Sequence, residues 1–142
     1  MPFQTELTQA IDEGSLSRVR DLLAAGCDPN EFDDFGESPL SVAAMRNELG
    51  MLDLLVKRGA VVRLANANGW TPLHFAVDHA IDAAIQGGDR PGEERTEAIE
   101  WLVRNGADVE AESTDGASPI GIAKSYRSDR VLVSLGRGGL QR

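Results

Sequence analysis

Apolar residues in this chain fall in short helical stripes, not in alternating runs. Val19, Leu22 and Leu23 recur at the spacing of one helix face, and Leu52, Leu54, Leu55 and Val56 do so again. Gly26 follows the first stripe, Gly59 the second, and Gly106 closes a third helical pattern. Glycine at such a place reads as the left-handed C′ residue of a helix. Three related hexapeptides open intervening helices: Ser38-Pro39-Leu40-Ser41-Val42-Ala43, Thr71-Pro72-Leu73-His74-Phe75-Ala76 and Ser118-Pro119-Ile120-Gly121-Ile122-Ala123. Gly36, Gly69 and Gly116 each lie two residues upstream of them. Ser38, Thr71 and Ser118 are suited to cap helices, because their hydroxyls accept from orphan N–H groups of the first turn. Proline follows each cap at the first helical position, where its fixed φ helps and its missing N–H costs nothing. Ala43, Ala76 and Ala123 recur at one place in each helix, where a small side chain lets neighbouring helices approach. The pattern predicts an all-α chain of short helix pairs.

The spacing of these blocks carries the architecture. Pro39 and Pro72 are 33 residues apart, and Pro72 and Pro119 are 47 apart, which is one such period plus an insertion of 14. With these residues the chain resembles the ankyrin repeat family, in the manner of small stand-alone bacterial members. Thr71–Ala76 matches the family hexapeptide in full, Gly59-Ala60 and Gly106-Ala107-Asp108-Val109 match its Gly-Ala-Asp segment, and Gly26-Cys27-Asp28 carries Cys in the Ala place. The resemblance spans nearly all of residues 5–135. It implies a solenoid of stacked helix-turn-helix units with projecting β-hairpin-like loops, in which neighbouring units share stability. Four units are expected within one domain over residues 1–136. They are a polar first cap at 1–33, a regular repeat at 34–66, a repeat at 67–113 with an insertion at 81–94, and a closing cap at 114–136. Residues 137–142 read as a flexible tail.

Two departures from the family pattern bear on function. Asn47-Glu48 stands where the family has Gly-His between helices, and Asn tolerates a left-handed backbone. In the third unit the inter-helix turn becomes the insertion, with the first helix expected to run through about Gln86. A break at Gly87-Gly88 and a new helix near Glu93 should follow. Such an element is either idle elaboration or a contact surface, since loops carry function disproportionately.

Composition narrows the classes. The chain has 142 residues, 42% of them hydrophobic, and no apolar run approaches the roughly 20 residues that span a bilayer. Its N-terminus lacks the basic and apolar regions of a secretory signal, so a cytoplasmic location and no membrane partner are expected. Single Cys27 reads as a small hydrophobe at a repeat junction. A net charge of -9 disfavours nucleic acid. The charge is polarised. Residues 1–37 hold nine acidic and two basic side chains (net -7), and residues 121–142 hold five basic and one acidic (net +4).

No catalytic constellation is visible, and no cofactor or metal is expected. His74 and His79 are five apart with no third ligand, against the i, i+4 spacing of a helical metal pair. The resemblance gives His74 a structural hydrogen-bonding role. His79 with Asp78 or Asp82 is the remote enzymatic alternative, without any nucleophile beside it. There is no phosphate-binding glycine loop and no calcium loop.

Surface positions remain. The resemblance places ligands across the loop tips and the exposed side of the first helices. On this sequence those positions are Phe32, Asp34, Phe35 and Glu37, then Met45 and Arg46. The second unit offers Ala65, Ala67, Asn68 and Trp70, with Asp78 and His79 on its helix. The third loop offers Glu112, Thr114, Asp115 and Ala117, with Ser125 and Tyr126 beyond. Phe32, Phe35, Trp70 and Tyr126 are the large aromatics that dominate binding hot spots, although a Phe or Trp there could equally cover its own loop. The expectation is a monomeric, non-catalytic module that binds one protein, with a basic partner surface steered to the acidic end. An immunity protein neutralising a cationic toxin and an adaptor for a cellular enzyme are the two forms such a module could take.

Overall fold

The computed structural model describes residues 3–87 and 94–139. Eight helices follow in chain order among them: α1 (Glu6–Asp12), α2 (Leu16–Ala24), α3 (Pro39–Met45), α4 (Leu49–Lys57), α5 (Pro72–Gln86), α6 (Glu97–Arg104), α7 (Pro119–Ser125) and α8 (Asp129–Gly139). No strand occurs among the described residues. Each odd-numbered helix pairs with the one after it. The odd-numbered helices also pack in series, α1 on α3, α3 on α5 and α5 on α7, while α4 meets α6 and α6 meets α8. The chain is a stacked helical solenoid.

Local chemistry fixes the helix ends. Ser38, Thr71 and Ser118 each accept from the backbone N–H three residues on, with proline next to them. The first helix uses the same device in a form the hexapeptide hides. Thr5 caps α1 and forms a reciprocal capping box with Thr8. Gly26, Gly59 and Gly106 adopt φ of 99°, 101° and 101°, the left-handed conformation that ends α2, α4 and α6. Along the stack, Leu40, Leu52, Leu55, Leu73, Ile99 and Leu102 are fully buried, and Ala43, Ala76 and Ala123 lie between neighbouring helices. Leu54 is half-buried and packs against this core, whereas Leu52 and Leu55 of the same stripe are fully buried in it. Cys27 is likewise half-buried against the core.

The loops repeat one closure. Asp33 Oδ1 accepts from the N–H groups of Phe35 and Glu37, Asn66 Oδ1 from those of Asn68 and Trp70, and Ser113 Oγ from those of Asp115 and Ala117. Two backbone bonds then close each loop, such as Asn66 N–H to the Trp70 carbonyl at 3.0 Å and Gly69 N–H to the Asn66 carbonyl at 2.9 Å. The loops are hairpin-like without strands, and they join in a row. Asp34 N–H donates to the Phe3 carbonyl, Asn66 Nδ2 to the Gly36 carbonyl, and Thr114 N–H to the Asn68 carbonyl.

Two boundaries differ from expectation. Helix α5 runs to Gln86 with Gly87 as its C-cap, as its sequence predicts, but α6 begins at Glu97 and not near Glu93. Residues 94–96 are tied to the start of α8 instead: Glu94 Oε1 accepts from the Ser128 hydroxyl at 2.6 Å, and the Glu94 carbonyl from Arg130 Nε at 2.7 Å. The expected break at Gly88 and start at Glu93 lie outside the described residues. At the C-terminus α8 continues to Gly139, three residues into the expected tail.

Candidate functional site

A concave cleft of about 920 Å³ opens over α1, α3 and α5, with Ala98 and Ile99 of α6 also lining it. Its floor comes from α3 and α5, through Ala44, Met45, Ala76 and Ala80. Phe3, Phe35 and Glu37 form one wall at the loop tips. Gln9 and Asp12 reach it from α1. Ala83, Ala84, Glu94, Arg95, Ala98 and Ile99 complete the lining. Helix α5 has 15 residues against seven in α1, α3 and α7, and Ala83 and Ala84 of its extension belong to this lining.

The cleft brings together five of the positions singled out from sequence: Phe35, Glu37, Met45, Arg46 and His79. Phe35 is 54% exposed at the rim, an apolar surface without a partner. Met45 is half-buried. Arg46 is engaged from two sides, by Glu48 Oε1 at 2.6 Å and by Asp12 Oδ1 at 3.5 Å across the α1–α3 junction. Burial holds the Glu37 carboxyl above its ordinary range, and the charges of Asp33 and Asp12 push the same way. His79 is exposed in this open cleft, not enclosed as a catalytic imidazole would be.

The other positions lie elsewhere. Trp70 is half-buried against its own unit, 5.3 Å from the His74 ring and 5.2 Å from Phe75 in an edge contact. Phe32 is half-buried, and Asp34 accepts from the Phe3 N–H. Asn68 and Asp115 are exposed on successive loops, and Tyr126 is 56% exposed beyond α7. Asp78 is half-buried, with its carboxyl raised by burial and then by Asp82. Asp33, between Phe32 and Asp34, is 7% exposed and closes its loop, so it is no part of the exposed acidic surface.

His74 has the structural role expected of it. It is fully buried; its Nδ1 accepts from the Thr71 N–H, and its Nε2 donates to the Ala117 carbonyl at 2.9 Å in the next unit. Desolvation lowers its pKa, partly offset by the bond to Ala117. Among the described residues no group of three His, Cys, Asp or Glu could hold a metal ion. No helix there is long and apolar enough to cross a membrane.

Sequence reasoning missed Phe3, Asp12, Glu94 and Arg95. For Glu94 and Arg95 the one signal was the insertion, at whose end they stand; Phe3 and Asp12 had none.

Comparison with known proteins agrees with this geometry. The family described as ankyrin repeats (3 copies) matches residues 7–111. The chain is 33% identical over 87 residues to a putative ankyrin repeat protein of Rickettsia bellii, covering 57% of this chain and 52% of that one. It is 35% identical over 72 residues to the human Notch-regulated ankyrin repeat-containing protein, covering 48% and 63%. It is also 28% identical over 134 residues to alpha-latrocrustotoxin-Lt1a of Latrodectus tredecimguttatus. That match covers 94% of this chain and 8% of the toxin, so the chain spans under a tenth of that relative's length. Ankyrin repeats are generally protein–protein interaction modules and typically non-catalytic. The chain belongs to the ankyrin repeat family.

Proposed function

We propose that residues 1–136 form one four-unit, non-catalytic domain that binds a single protein through the cleft over α1, α3 and α5. It acts as a monomer in the cytoplasm. One observation carries the reading: residues of the insertion that departs from the repeat period, Ala83, Ala84 and Glu94, line the same cleft as exposed Phe35. An idle elaboration has no reason to line a concave surface already bordered by an aromatic anchor. The partner presents a basic surface. The support is the acidic first segment, net -7 over residues 1–37, whose Asp12 and Glu37 border the cleft. Of the two arginines there, Arg46 is already engaged by Glu48 and Asp12, and Arg95 is exposed.

The test is binding kinetics with the native partner, isolated by affinity capture. Phe35→Ala and Met45→Ala should each speed dissociation about tenfold or more, as desolvated anchors do, with little change in melting temperature. Unchanged dissociation in both variants would remove the cleft as the binding site.

A further inference from the structure

The turns that join α1 to α2, α3 to α4 and α7 to α8 share one backbone. Gly14, Asn47 and Arg127 hold left-handed φ of 77°, 56° and 54°. The next residue in each turn donates back into the helix, Ser15 to Ala10, Glu48 to Ala43 and Ser128 to Ala123. Glycine takes this conformation freely and asparagine readily, but an arginine there is strained. Asn47 has a structural use for its side chain, in bonds to Glu97 and Ala98. The Arg127 side chain is exposed, and among the described residues it bonds to no other element. Strained residues of this kind concentrate where binding or catalysis requires them.

The neighbours of Arg127 share its exposure. Lys124, Tyr126 and Arg130 are all exposed, and Asp129 is the one acid within residues 124–130. This cationic, aromatic patch adjoins the cleft. Arg130 Nε donates to the carbonyl of Glu94, a residue of the cleft lining, and exposed Arg95 comes next. An exposed tyrosine gives an apolar contact with a polar tip, and an arginine beside it gives a carboxylate two parallel bonds.

From this we infer that residues 124–130 form a second docking surface, on which Lys124, Tyr126 and Arg127 receive an acidic segment of the protein bound in the cleft. The inference rests on the cleft being the partner-binding site. It adds a direction to that reading. A partner that is basic where it meets Glu37 and acidic where it meets Arg127 can lie along the solenoid in one orientation only.

Two measurements on the full chain test it. In the first, acetylated hexaglutamate is titrated into labelled protein and followed by amide chemical shifts, with hexaglutamine as the neutral control. Saturable shifts at Ser125, Tyr126, Arg127 and Arg130, absent with hexaglutamine, are expected. Arg127→Gly should weaken hexaglutamate about fivefold or more, while the melting temperature holds or rises because the turn is relieved of strain. Lys124→Gln, at an exposed helix position, should weaken it in the same direction. Arg20→Gln removes an exposed cation from the first unit and should leave binding unchanged. Shifts no larger than with hexaglutamine would overturn the inference, as would equal weakening by Arg20→Gln and Arg127→Gly. A clear fall in melting temperature in Arg127→Gly would show a structural arginine and overturn it too. Tighter binding of a uridine dodecamer at the same residues would replace the acidic protein segment with nucleic acid.

The second measurement is affinity for the captured native partner, which separates this inference from the reading beneath it. Arg127→Gly and Phe35→Ala should each weaken it about fivefold or more. Weakening by Phe35→Ala alone would overturn the acidic contact and leave the cleft standing. Weakening by Arg127→Gly alone would overturn the cleft and keep residues 124–130 as the docking surface. Weakening by neither would overturn both.

Discussion

His74 ties two units together with one ring. Its Nε2–H reaches the Ala117 carbonyl while Nδ1 completes the Thr71 capping box, so only the neutral imidazole satisfies both. His74→Ala strands a carbonyl and opens a void, and should cost on the order of 1–3 kcal/mol in denaturant unfolding. The pH dependence has a defined sign. Because the folded pKa lies below the ordinary 6.5, the His74 contribution is complete above 6.5 and is lost as pH falls through the folded value. Unfolding titrations should therefore show a shallower acid slope in His74→Ala than in the parent. Equal slopes would mean that this imidazole does not stay neutral in the fold. A second contrast at this scale separates two glycines of similar conformation. A Cβ on Gly69 (φ 78°) would lie 2.9 Å from the Ser113 Cα of the next loop, whereas one on Gly116 (φ 83°) meets nothing within 4 Å. Both alanine variants incur left-handed strain of roughly 1–2 kcal/mol. Gly69→Ala should lower the melting temperature clearly further, because backbone must also move.

Asn47 links elements that lie 50 residues apart in the chain. It adopts φ of 56°, and its side chain bonds to Glu97 Oε1 and to the Ala98 N–H, both at 2.7 Å. Thr96, at the cap position of α6, makes no side-chain cap bond. Asn47 therefore caps α6 from the preceding unit. Asn47→Ala should cost about 0.5–2 kcal/mol and should speed amide exchange at Ala98 more than at Leu52. Uniform acceleration would argue against a cap. Helix ends of the local kind were legible in sequence, since Ser38-Pro39, Thr71-Pro72 and Ser118-Pro119 state their role within two residues. The Asn47 side chain gave no such sign, because its partners arrive only when the third unit docks. The loop closures were legible too late: Asp33, Asn66 and Ser113 each stand five residues before a cap, but their differing chemistry masks the shared position. The cleft was hidden for a related reason. The family resemblance offered Phe35 and Met45 as contact positions, whereas Glu94 stands at the end of an insertion outside the repeat pattern and is held by a bond to distant Ser128.

Stacking in chain order sets the -7 segment with Phe3 and Phe35 at one end of the solenoid, and the basic C-terminal segment at the other. A basic partner approaches the acidic end faster than a neutral one, and salt weakens that advantage over a screening length of roughly 10 Å at 0.1 M. Asp34→Asn with Glu37→Gln should slow association and flatten its salt dependence, with dissociation less affected. Asp33 is left intact in that variant because it closes its loop. Association indifferent to both salt and the substitutions would reduce the acidic end to a solubilising surface.

The cleft as the binding face is the claim on which the functional reading stands, and amide chemical-shift mapping of the captured native partner on labelled protein tests it most directly. Perturbations concentrated at Phe35, Met45, His79, Ala84 and Ala98 are the predicted result. Perturbations confined to the outer faces of α2, α4 and α8, with those five residues unmoved, would contradict it.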